Sequence, residues 1–119
     1  MLAKQLRLVK EKDFKKIFKQ GQASYAKIFS IKVLANGLEV NRYGIIISAK
    51  VSKKAVERNK LKRQFRLAVK EFDKKLACGF DLVIMVFSAA KNQEYKFIKS
   101  ELEKILLALK LFKPNKQHD

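Results

Sequence analysis

Residues Lys50 to Lys70, KVSKKAVERNKLKRQFRLAVK, set the strongest constraint on how this chain can fold. On a helix at about 100° per residue, Leu61, Phe65, Ala68, Val69, Phe72 and Leu76 fall into one apolar stripe that has to be buried. Asn59, Arg63, Arg66 and Lys70, at i, i+4, i+7 and i+11, fall into a second stripe a quarter-turn or more away, with Lys62 and Arg58 on the border. The segment is therefore a helix packed on one side and cationic on the other. Ser52 is its expected N-cap, because the hydroxyl can accept from a first-turn amide, although no glutamate stands at the capping-box position.

The charge on this helix is not that of a merely solvated face. Nine basic residues, Lys50, Lys53, Lys54, Arg58, Lys60, Lys62, Arg63, Arg66 and Lys70, stand against the single acid Glu57. A solvated helix interleaves Glu with Lys at i, i+4, whereas here acids are almost absent until Glu71 and Asp73. Crowded like charges cost free energy in the isolated protein, so an anionic partner explains them better than water alone. Arginine with asparagine also suits phosphates and base edges better than lysine by itself. The whole chain repeats the imbalance, with 28 Lys+Arg against 11 Asp+Glu and a net charge of +17 over 119 residues. A folded domain this basic generally meets nucleic acid or an acidic surface.

A membrane is the competing partner, and the sequence argues against it. The longest run of large apolar residues, Leu82 to Phe87, is far short of the ~20 needed to span a bilayer. The amino terminus, MLAKQLRLVKEKDFKK, is interrupted by charge every few residues and has no signal-type apolar region, so the expected compartment is the cytoplasm. A single cysteine, Cys78, allows neither an intramolecular disulfide nor the usual zinc site and reads as a small core residue near a helix end.

The remaining elements follow in order. Leu2 to Val9 reads as an extended lead-in. Glu11 to Gln20 reads as a short helix with Phe14, Ile17 and Phe18 on one face, ended by Gly21 at the C′ position. Tyr25 to Leu34 reads as a strand with Phe29, Ile31 and Val33 on its core face and Ser30 and Lys32 on the other. Asn36-Gly37 is a hairpin signal, Leu38 to Val40 begins the return, and Tyr43 to Ser48 completes it. Cys78-Gly79 ends the basic helix, and Asp81 to Phe87 is a near-continuous apolar strand of the kind found inside a covered sheet. Asn92 reads as the cap of a closing helix with Ile98, Leu102, Ile105, Leu109 and Phe112 as its core stripe. Pro114 terminates it, and a tail follows. The expectation is one domain over residues 1–119. It is an α/β (α+β) two-layer sandwich with helices packed on a small mixed four-stranded sheet, in the order α-β-β-β-α-β-α.

Candidate catalytic groups are sparse. The only histidine, His118, lies in the tail, and there is no HxxxH, CxxC, paired-carboxylate, P-loop or GxGxxG motif. No catalytic residue and no metal ligand is assigned on the protein.

Arg58-Asn59-Lys60-Leu61-Lys62-Arg63-Gln64-Phe65-Arg66 resembles the RNR signature of the protein subunit of bacterial ribonuclease P, with Lys60 where the family usually has a third arginine. Asp13-Phe14, Phe18 and Gly21 are similar to the family's DFxxxFxxG pattern. Arg42, Gly44 and Ser48 match its RxGxxxS strand, and Asp81-Leu82-Val83 matches the strand after the basic helix. Ala49, Val51 and Lys53 depart from residues common there. The resemblance implies a ribozyme cofactor: an RNA subunit carries the active site and uses Mg²⁺ to remove the 5′ leader of precursor tRNA. It also implies a left-handed β-α-β crossover through the basic helix, against the usual rule for such units. On this resemblance Lys50, Lys53, Lys54, Arg58, Asn59, Lys60, Lys62, Arg63, Arg66 and Lys70 contact the RNA subunit. Lys12, Phe14, Phe18, Phe29 and Lys32 belong to a cleft for the leader, whose bases stack on aromatic rings. The implied partners are the ribonuclease P RNA and precursor tRNA, with no membrane and no obligate protein partner. A ribosomal protein or general RNA chaperone, an autonomous small ribonuclease and a duplex-DNA binder are the alternatives.

Overall fold

The computed structural model describes residues 7–114. The elements are α1 (Glu11–Gln20), β1 (Gln22–Tyr25), β2 (Phe29–Ala35), β3 (Arg42–Ile46), α2 (Ala55–Asp73), β4 (Phe80–Val86) and α3 (Tyr95–Ala108), with a 3-10 turn at Ser88–Ala90. The sheet order is β1-β2-β4-β3. β1–β2 and β2–β4 are antiparallel, while β3 and β4 are parallel neighbours joined through α2. The mixed four-stranded sheet and the α-β-β-β-α-β-α order agree with expectation.

β4 is an inner strand because it is apolar on both faces. Asp81 to Ile84 and Val86 are all buried, and a strand with no polar face gains most from a partner on each side. Facing α2 and α3, the sheet contributes Phe29, Ile31, Val33, Leu82, Ile84 and Val86 to the main core, which closes over Leu61, Phe65, Ala68, Val69 and Phe72 of α2 and Ile98, Leu102, Ile105 and Leu106 of α3. Phe29 and Phe65 meet edge to face at 5.5 Å between ring centroids. Burial of each such side chain is worth about 1.5–3 kcal/mol. On the opposite face Ile17 of α1 packs with Leu8 and Val83, flanked by Phe14, Leu34 and Ile46. Leu8 is held there by its amide, which donates to the Tyr43 carbonyl at 2.8 Å.

Several boundaries differ from the sequence reading. The stretch from Tyr25 to Leu34 is not one strand, because the chain turns back between β1 and β2 with the Ala26 amide donating to the Phe29 carbonyl at 2.8 Å. Asn36-Gly37 does form a turn. Gly37 has φ 72°, and Asn36 Oδ1 accepts from the Leu38 amide at 2.7 Å. The turn does not close a hairpin, since β4 occupies the place beside β2 and the exposed segment from Leu38 to Val40 carries the chain on to β3. Gly21 has an extended backbone, φ −71°, so its role is not a left-handed cap. A Cβ there would lie 2.5 Å from the Ile17 carbonyl oxygen, and the close approach is what demands glycine.

α2 begins at Ala55, after Lys54 at the N-cap position. Ser52 instead closes the preceding loop, accepting from the Lys54 amide at 3.1 Å and donating to Glu57. Cys78 is exposed rather than in the core, because the helix stops at Asp73 and a linker leads to Gly79 at φ 95°. Asn92 is not a cap; it sits at φ 63°, and Glu94 precedes α3. That helix ends through Lys110 at φ 58°, with the Leu111 amide donating to the Leu106 carbonyl, before Pro114 is reached. His118, Leu2 and the other residues outside 7–114 lie beyond the described part of the chain.

Candidate nucleic-acid interface

Four motif residues hold α1 in place. Arg42 of β3 donates from Nε to Asp81 Oδ1 at 2.8 Å and from Nη2 to Oδ2 at 2.7 Å. Its Nη1 lies 3.5 Å from Asp13 Oδ2 on α1. Asn36 Nδ2 completes the network on Asp81 Oδ1 at 2.9 Å. These bonds to the buried Asp81 carboxylate raise the Arg42 pKa above its already high ordinary value. Gly44 lets α1 approach closely, because a Cβ there would stand 2.6 Å from Phe14 Cε1. Asp13 and Phe14 are thus tied to β3 by one ion pair and one packing contact.

The register sorts the α1 face of the sheet into rows. Leu34, Asp81 and Arg42 form one, Ala23, Lys32, Val83 and Gly44 the next, and Tyr25, Ser30, Met85 and Ile46 the third. α1 covers the first two and leaves the third open as the floor of a groove. Phe18, 37% exposed, forms the α1 wall. Lys32 Nζ donates to the Phe18 carbonyl at 2.7 Å and stands 5.7 Å from the centroid of its ring. At the far end Ile46, Ser48, Lys50, Met85, Phe87, Ser88 and Ala89 border a concavity of about 490 Å³.

α2 divides its charge between two flanks. Glu71 meets Lys99 of α3 at 2.5 Å and Glu57 lies 3.8 Å from Lys91 in the turn before α3, while Asp73 in the last turn accepts from the Tyr43 hydroxyl of β3. Bonds from Lys99 to Glu71 and from the Ser52 hydroxyl to Glu57 hold both carboxyls below the usual range. On the other flank Lys62, Arg63, Arg66 and Lys70 form no salt bridge among the described residues. Lys62 and Arg66 border a concavity of about 220 Å³ at the β3 edge, together with Arg7, Phe14, Tyr43 and Gly44, and no acid lines it. Arg7 Nε is buried there without a hydrogen-bond partner among the described residues. The cationic flank and the groove therefore meet along the edge strand β3, where Gly44 and Ile45 border the one and Ile46 the other.

A sequence model of the family described as Ribonuclease P matches residues 2–110. The chain belongs to the Ribonuclease P family. The ribonuclease P protein component of Synechocystis sp. is 37% identical over 87% of this chain and 85% of its own, and that of Pseudanabaena sp. is 34% identical over 97% and 100%. A Staphylococcus aureus RNase P protein mutant with defective mRNA degradation activity superposes with a TM-score of 0.85 at 31% identity, covering 92% of both chains.

Within this Ribonuclease P fold, the residues singled out from sequence are regrouped. Asn59, Lys62, Arg63, Arg66 and Lys70 share the free flank of α2. Lys60 points to the other side, beside Gln64, Lys91, Asn92 and Gln93. Arg58 Nη1 donates to the Ser52 carbonyl at 2.8 Å, so it braces the loop that carries the exposed Lys53 and Lys54. Lys50 belongs to the groove end rather than to the helix stripe.

Two cleft assignments are corrected. Phe29 is 0% exposed and lies in the core on the opposite face, where strand alternation sends it. Lys12 is exposed on the side of α1 turned away from Ile17 and the sheet. Sequence reasoning missed Tyr25, Ser30, Met85 and Ile46. Period-2 alternation within the run from Leu82 to Phe87 does place Met85 on the face opposite Leu82 and Ile84, so the pattern carries that signal.

Proposed function

We propose that this chain is the protein subunit of a ribonuclease P ribonucleoprotein acting in the cytoplasm, where it promotes removal of the 5′ leader from precursor tRNA. The observation that carries the reading is the adjacency of two unlike surfaces, a flank of cations that form no salt bridge among the described residues and an open groove with an apolar floor. The flank of Asn59, Lys62, Arg63, Arg66 and Lys70 contacts the RNA subunit. Guanidinium and ammonium donors there replace condensed counterions on its phosphates. The groove takes the single-stranded leader with little sequence preference, because each base stacked on an aromatic ring gains about 1–3 kcal/mol whatever its identity. The protein's part is to hold and orient: a leader gripped beside Phe18 and a ribozyme gripped by α2 bring the scissile phosphate to the RNA active site.

Among the described residues no group of three or more His, Cys, Asp or Glu is placed to hold an ion. Mg²⁺ in this reading is bound by the RNA subunit and substrate. The cations of α2 lower the metal requirement by offsetting RNA–RNA repulsion.

The test is cleavage of a precursor tRNA by a bacterial ribonuclease P RNA at low Mg²⁺, with and without this protein, alongside a protein-only lane. Stimulation that needs both components is expected. Tight RNA binding without stimulation points to an RNA chaperone instead. Cutting by the protein alone overturns the division of labour and directs attention to an activity such as the mRNA degradation named for the Staphylococcus aureus protein.

A further inference from the structure

The open row of the sheet runs further than Phe14 and Phe18 require. Tyr25, Ser30, Met85 and Ile46 are successive partners across all four strands, a floor about 14 Å wide at the usual strand spacing. Tyr25, on the edge strand β1, is 72% exposed and Met85 37%. On the other face the same strands bury Phe29, Ile31, Val33, Leu82, Ile84 and Val86 to 7% or less, so apolar exposure is confined to this row. Between Phe18 and Tyr25 the sheet offers no ring. Lys32 stands there with its ammonium already bonded to the Phe18 carbonyl. A strand of bases leaving Phe18 next meets an aromatic face at Tyr25, beside the exposed Lys27 of the following turn.

We propose that Tyr25 is a stacking platform for a leader nucleotide beyond those held near Phe14 and Phe18, making this subunit sensitive to leader length. The inference rests on the leader-groove reading above. A phenol on the rim contributes little to the core, whereas its exposed face is a sequence-tolerant surface for a base, with the soft Met85 thioether two strands further along the same row and the exposed Lys27 two residues on as a cation for the adjoining phosphate.

The experiment reconstitutes the holoenzyme with a bacterial ribonuclease P RNA and measures affinity for precursor tRNAs over a series of leader lengths, with mature tRNA as reference. Tyr25→Ala is expected to lower the long-to-short leader affinity ratio about five-fold or more, the value of one base stack. Tyr25→Phe, which keeps the ring, is expected to retain the wild-type ratio. A thermal melt confirms that both variants fold. An unchanged ratio in Tyr25→Ala overturns the proposal, as does a Tyr25→Phe that behaves like alanine, since the hydroxyl would then be the determinant. If the wild type itself does not distinguish leader-bearing from mature tRNA, the groove reading fails; a failure confined to Tyr25 leaves that reading in place.

Discussion

Replacing Arg42 with alanine strands a buried charge. The Asp81 side chain is 7% exposed and takes two hydrogen bonds from the guanidinium, at 2.8 and 2.7 Å. Without Arg42 only the Asn36 amide, at 2.9 Å, remains on that carboxylate. Removing one partner of a buried ion pair costs about 3–5 kcal/mol, most of it from the uncompensated charge. The looser approach of Arg42 to Asp13, at 3.5 Å and partly wet, adds a small share. Against a stability of about 5–15 kcal/mol for a small domain, the variant folds but is marginal, and its Tm falls by roughly 10–20 °C. Urea unfolding followed by circular dichroism reads the loss. The double variant Arg42→Met, Asp81→Leu strands no charge and is expected to be more stable than Arg42→Ala by at least about 1 kcal/mol. A loss under about 1 kcal/mol in Arg42→Ala, or a double variant no better than the single one, refutes the reasoning and means that water reaches Asp81.

Three further outcomes are expected. Arg63→Ala with Arg66→Ala leaves the melt unchanged and makes the salt dependence of RNA-subunit binding shallower by about one unit for each phosphate no longer neutralised; an unchanged slope in filter binding removes the flank from the interface. Gly44→Ala forces the Phe14 ring to move, since the new Cβ would be 2.6 and 2.8 Å from two ring carbons. The cost is about 1–3 kcal/mol, and discrimination between leader-bearing and mature tRNA suffers more than RNA-subunit affinity does; a melt like the parent's shows that the ring swings aside freely. Tyr43, raised above its ordinary pKa by burial and then by the bond its hydroxyl donates to Asp73, contributes stability that is full below about pH 10 and is lost as pH rises through its folded value. Urea melts of wild type and Tyr43→Phe should therefore converge above pH 10, and parallel curves refute this.

What could be read from sequence was whatever periodicity or punctuation records. α1 and the core stripe of α2 were legible because apolar residues recur with the helix period, and β4 was legible as an inner strand from its unbroken run. The β1–β2 turn was not. It is made by Ala26, Lys27 and Ile28 with no positive φ, so it needs no Gly, Asn or Pro and leaves no mark. Asn36-Gly37 misled in the opposite sense: the local turn is real, but which strand lies beside β2 is decided by β4, more than 40 residues on. The ring of Phe29 suggests a cleft residue, and the alternation that also puts it on the core face is the better guide. Tyr25 leaves no signal because its exposure depends on where β1 ends and α1 stops.

The motif residues that carry the family resemblance therefore divide into two kinds. Asp13, Arg42, Gly44 and Asp81 touch one another or Phe14, and their chemistry is consumed in fixing α1 on the sheet. Arg63, Arg66 and Asn59 make no side-chain bond to the protein among the described residues, on a flank whose acids are engaged elsewhere: Glu57 and Glu71 pair with Lys91 and Lys99, and Asp73 accepts from Tyr43. The first group makes the groove by deciding which row of the sheet α1 leaves open. The second sets a field beside it that water and salt alone do not neutralise well. A substitution in the first group should thus change stability and leader discrimination together, while one in the second should change salt-dependent RNA affinity with stability intact. A variant set in which the two effects do not separate this way would mean that groove and helix recognise one continuous RNA surface.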